Sequence, residues 1–84
     1  MTTATKAKIL RYDVIFEEAR EGGYMAIVPS LAGCVSEGDT LEEAKENVQE
    51  AILAYLESLA KDGENIPLSG KSLLGSVEVN FQNA

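Results

Sequence analysis

A chain of 84 residues, 45% apolar and 25% charged, is long enough for one small hydrophobic core and too short for two domains. Its formal charge of −7 disfavours a surface that grips phosphates, because nucleic-acid binding draws on clustered Lys and Arg; a basic partner is the natural match. One cysteine forms no internal disulfide, no histidine is present, and no apolar run has the length of a signal peptide or a membrane span, so the expected location is cytoplasmic without membrane contact.

Residues 1–8 are small, polar and slightly basic, and read as a flexible N-terminus; residues 9–84 read as a single domain. From Ile9 the pattern has period two. Leu10, Tyr12, Val14 and Phe16 fall on one face, and Arg11, Asp13 and Glu17 on the other with Ile15, which predicts a half-buried strand. "EEAREGG" supplies a polar connection whose Gly22 and Gly23 can take positive φ, and "YMAIVP" follows as the second strand of a hairpin. Pro29 has no amide for a ladder and ends that strand; "SLAG" turns the chain into a short third strand near residues 34–37.

Thr40 followed by Glu43 matches a capping box, in which the threonine oxygen accepts from a first-turn amide and the glutamate reaches back to the threonine amide. Asp39, Glu42 and Glu43 also sit near the positive end of the helix dipole. Apolar residues then recur at Leu41, Ala44, Val48, Ile52, Tyr55 and Leu59, with Ala51 and Leu56 widening the stripe, so one helical face is buried. The helix should stop near Asp62 and Gly63, and Pro67 prevents a restart. Val77, Val79 and Phe81 alternate with Ser76, Glu78 and Asn80, which predicts a fourth strand. The expected class is α+β in the order β-β-β-α-β, three strands forming an antiparallel meander. One helix covers only one face of such a sheet, leaving the other for solvent or a second copy.

The run "YDVIFEEAREGGYMAIVPSLAGCVSEGDTLEEAKENVQEAILAYLESL", residues 12–59, resembles the HicB family, the antitoxin side of the HicA/HicB toxin-antitoxin systems, and its single-domain relatives. Its landmarks appear in order: a first strand, "YMAIVPSLAGC", "GDTLEEA" and the "AILAYLESL" helix. Ala32 stands where the family usually has proline in a Leu-Pro-Gly-Cys turn, and a looser turn is expected from it. The resemblance implies a partial ribonuclease-H-like fold whose last strand runs parallel to the first. It also implies a binding protein that neutralises a small basic HicA-type mRNA interferase through protein-protein contact. Many members carry a C-terminal helix-turn-helix or ribbon-helix-helix domain for operator DNA; a chain ending at Ala84 has no room for either, so no C-terminal DNA-binding domain and no direct nucleic-acid contact are expected. The alternative is an orphan HicB-like homo-oligomer, with a binding or structural role and no toxin partner.

Catalytic readings are weaker. A ribonuclease-H-like sheet invites a two-metal nuclease, but Asp13 and Glu17 are the one acid pair placed on a strand, and in so acidic a chain they read as a solvated edge. Cys34 has no histidine to activate it and reads as a packed turn cysteine. No catalytic residue, metal site or cofactor is therefore expected. The helix offers the candidate partner surface: Glu42, Glu46, Glu50 and Glu57 lie opposite the buried stripe, with Leu53 among them as a possible apolar anchor. Thr40 and Glu43 are assigned to the structural cap. Tyr24, Met25 and Ile27, on a second strand apolar on both sides, are the candidate interface of a homodimer or homotetramer.

Overall fold

The computed structural model describes residues 9–68 and 72–83. Three strands, β1 (Ile15–Glu18), β2 (Tyr24–Ile27) and β3 (Val35–Gly38), precede one long helix, α1 (Leu41–Lys61). The strands form an antiparallel sheet in the order β1-β2-β3, with Phe16 opposite Ala26 and Ala26 opposite Ser36. The flexible N-terminus expected at residues 1–8 lies outside the described residues.

Both connections follow from the local sequence. Gly22 and Gly23 take φ of 100° and 81°, conformations other residues rarely adopt, and the Ala19 amide closes the loop on the Gly23 carbonyl at 2.9 Å. After β2 the chain leaves the ladder: the Val28 amide donates to the Cys34 carbonyl, and the amides of Leu31 and Cys34 donate to Val28 and Leu31. Gly33 at φ 78° completes this turn, which three backbone hydrogen bonds hold shut with alanine at position 32. The Tyr55 hydroxyl adds a bond from α1 to the Ala32 carbonyl at 2.9 Å.

The turn at Val28 and Pro29 also shortens β1. Residues 9–14 keep the expected alternation, with Leu10, Tyr12 and Val14 half-buried and Ile9, Arg11 and Asp13 exposed, but β2 has already turned away and offers them no ladder. The third strand begins one residue later than expected, because Cys34 is occupied in closing the turn.

Helix α1 starts and stops as its end residues dictate. Thr40 Oγ1 accepts from the Glu43 amide at 3.1 Å. The reciprocal half of the box differs from expectation: the Glu43 carboxylate accepts from the amide of Asp39 at 3.2 Å rather than that of Thr40. It thereby ties the helix to the end of β3. At the other end, Gly63 at φ 71° donates to the Ala60 carbonyl and Glu64 donates to Leu59, the paired bonds of a Schellman motif.

The core comprises Ala26, Val28, Leu31, Cys34 and Val48, with Phe16, Ile52, Tyr55 and Leu56 packed against it. Leu41, assigned to the buried stripe by its spacing, is instead exposed at the first helical position. The helix sits close because position 38 is glycine: a Cβ there would lie 2.4 Å from the Ala44 amide nitrogen and 2.7 Å from the Glu43 carbonyl carbon. The Asn47 side chain adds a bond to the Glu37 carbonyl at 2.8 Å.

The fourth strand expected from the alternation at Val77, Val79 and Phe81 is not part of the described sheet: residues 72–83 are exposed and pair with no strand among the described residues.

Two substitutions test this packing. Gly38→Ala should cost about 1–3 kcal/mol, since the methyl meets backbone that cannot swing aside. Thr40→Ala should cost about 1 kcal/mol through loss of the cap. Urea denaturation measures both; a Gly38→Ala protein as stable as wild type would mean the helix is not pressed onto β3.

Candidate functional site

Three surfaces remain after the core is formed. The first is the outward side of α1. Glu46, Glu50, Leu53 and Glu57 follow the i, i+4, i+7, i+11 spacing of one helical stripe, and all four are exposed. Glu42 extends the stripe by one turn. Leu53 is 58% exposed, so an apolar side chain projects from an acidic row. Carboxylates held on a rigid helix set up a negative field without shape changes, which suits encounter with a basic partner.

The second is the sheet face away from α1. The register lines up Ile15, Ile27 and Val35 in one cross-strand row, with Met25 one step along between Glu17 and Glu37. Val35 is 52% exposed and Met25 38%, so this small apolar patch is uncovered in the single chain. The pleat sends Tyr24 to the opposite face, that of the fully buried Ala26. The three residues expected to share an interface are thus divided, Met25 and Ile27 on the open face and Tyr24 beside Gly38 and Asp39 at the sheet's end.

The third was not anticipated from sequence. An open groove of about 850 Å³ runs between residues 9–16 and α1, floored by Leu10, Val14 and Phe16 on one side and Val48, Ile52 and Leu56 on the other. Leu53, Gln49 and Lys45 form its helical rim, so Leu53 belongs to both the acidic stripe and the groove. The signal available in the sequence was the apolar alternation beginning at Leu10, well before the residue that can pair with the last position of a strand ended by Pro29.

The groups considered for chemistry are placed apart. Asp13 accepts a hydrogen bond from the Ser72 amide at 2.9 Å, while Glu17 lies on the open sheet face. Among the described residues no group of three or more Asp, Glu or Cys side chains is arranged to hold a metal ion. Cys34 is buried in the turn, and burial pushes its thiol pKa up, which disfavours the thiolate a nucleophile needs. No helix among the described residues is long and apolar enough to cross a membrane.

Comparison with known proteins adds to this geometry. Residues 12–83 match the family described as HicB_like antitoxin of bacterial toxin-antitoxin system. A UPF0150 protein of Synechocystis is 46% identical over 65 residues, covering 77% of this chain and 82% of its own. A UPF0150 protein of Thermoplasma acidophilum is 47% identical over 58 residues, 69% of this chain and 84% of that protein. Antitoxin HicB 1 of Photorhabdus laumondii is 40% identical over 63 residues, which covers 75% of this chain and 41% of the longer relative.

The buried thiol makes a direct prediction. Cys34 should react with a thiol reagent at least about tenfold more slowly in the native protein than after unfolding. Its raised pKa stabilises the fold fully below the ordinary thiol range, and that contribution is lost as pH rises through this range toward the folded value, because the unfolded thiol ionises first. Urea midpoints measured across the alkaline range should therefore fall more steeply for wild type than for Cys34→Ala. Equal native and unfolded labelling rates would place the thiol at the surface.

Proposed function

Because this chain belongs to the HicB-like antitoxin family of bacterial toxin-antitoxin systems, we propose that it acts by binding, neutralising a small basic HicA-type mRNA interferase and performing no chemistry of its own. The observation that carries this reading is the stripe of Glu46, Glu50 and Glu57 around the exposed Leu53. A toxin that cleaves RNA must present a positive surface to phosphates, and a rigid acidic row with an apolar centre complements such a surface. Occupying that surface would exclude RNA by simple competition. Among the described residues the cysteine is buried and no group of three or more acidic or cysteine side chains is arranged to hold a metal ion.

We further propose that the working unit is a cytoplasmic homodimer or homotetramer without direct nucleic-acid contact. The uncovered row of Ile15, Ile27 and Val35, with Met25 beside it, supplies apolar area for a symmetric contact of that kind. In the assembled form residues 77–81 would supply a fourth strand parallel to β1, completing the partial ribonuclease-H-like sheet.

Surface plasmon resonance against the HicA-type toxin tests the partner surface. Raising salt, or replacing Glu46, Glu50 and Glu57 with glutamine, should slow association. Leu53→Ala should act mainly on dissociation, raising the off-rate about tenfold or more with little change in the on-rate. If all four substitutions bind like wild type, the toxin is held on another face.

A further inference from the structure

We propose that residues 76–82 are exchanged between two copies of this chain, each laying Val77, Val79 and Phe81 into the groove between residues 9–16 and α1 of the other. This rests on the homo-oligomer proposed above and names the segment that builds it. The three side chains are 90%, 82% and 81% exposed in the single chain, an alternating apolar face with nothing to cover it. The groove is the matching surface, with an apolar floor from Leu10, Val14, Phe16, Ile52 and Leu56. Residues 9–14 alternate exposed and half-buried side chains as a strand does, and among the described residues their backbone enters no ladder, so their amides and carbonyls are open to an incoming strand.

The chain's own geometry argues for a second copy over self-closure. The Tyr12 hydroxyl donates to the Pro67 carbonyl, and the Ser72 amide donates to Asp13, so the outgoing chain is level with Asp13 at residue 72. A strand advances about 3.3 Å per residue along its neighbour. Running parallel to its own β1, the segment would reach the level of Glu18, where β1 ends, at Val77, and Val79 and Phe81 would overshoot. Running antiparallel, it would pass Ile9 before Val77. The alternating residues therefore cannot seat along residues 9–16 of the chain that carries them, whereas a copy related by a two-fold axis imposes no such register. Charge is compatible: Glu78 is the one ionisable side chain among residues 72–83, and the charged residues lining the groove are Arg11, Lys45 and Asp13, two positive against one negative. Reciprocal exchange closes the assembly at two copies and hides both free edges.

Isotope-filtered NOE spectroscopy on the full chain, mixed from labelled and unlabelled protein, tests the exchange, with light scattering to give the mass. The expected result is an oligomer of even number in which the Phe81 ring and Val79 methyls contact Ile52 and Val14 of a different copy. An oligomer whose contacts from Val79 and Phe81 are only within one chain, or are absent, overturns the exchange while leaving the homo-oligomer standing. A monomer overturns both. As a second arm, the combined Val77→Asp, Val79→Asp and Phe81→Asp variant should raise the dissociation constant about a hundredfold or more with unchanged helical circular dichroism; an unchanged mass at limiting concentration would contradict the proposal.

Discussion

The structure depends on the close approach of the first turn of α1 to Gly38. With no side chain at that position, the backbone of Glu43 and Ala44 can lie directly against the end of β3, at a distance that would leave a Cβ only 2.4 Å from the Ala44 nitrogen. The surrounding polar contacts reinforce that approach. Thr40 caps the helix, while two side chains of its first two turns reach back, Glu43 to the Asp39 amide just past β3 and Asn47 to the Glu37 carbonyl within it. Tyr55 then pins its later half to the turn at Ala32. With the helix so placed, Val48 joins Ala26, Val28, Leu31 and Cys34 in one buried cluster.

The same placement decides what stays open. One helix laid over β3 and β2 covers one face of the sheet and leaves Ile15, Ile27, Val35 and Met25 on the other. Because the helix favours β3, it stands off from residues 9–16, and the space between becomes the groove. Its outward side keeps the acidic stripe clear of the sheet. The chain thus buries a minimal core and leaves its remaining apolar and acidic residues on three separate faces, the surfaces on which the proposed binding rests.

Much of this was legible in the sequence wherever the cause was local. Gly22 and Gly23 announced the hairpin, Thr40 and Glu43 the helix start, Asp62 and Gly63 its end, and the spacing of Ala44, Val48, Ile52 and Tyr55 its buried face. What depends on a distant partner was not legible. Pro29 shortens β1 through a ladder across the hairpin, and so creates the unpaired stretch that lines the groove. The Glu43 carboxylate chooses between two neighbouring amides by the angle at which β3 enters the helix. Tyr24 is separated from Met25 and Ile27 by the pleat, which a count of apolar residues overlooks. The alternation at Val77, Val79 and Phe81 signals a strand, but the sequence alone does not say whose edge it joins.

The central claim is that this protein works by occupying the RNA-binding surface of a basic toxin. Its most direct test is titration of the full chain into an RNA-cleavage assay of a purified HicA-type toxin. The account predicts that cleavage falls in proportion to added protein and ceases at a fixed molar ratio, with no cleavage by the protein alone. Cleavage that persists in the presence of a large molar excess would contradict it.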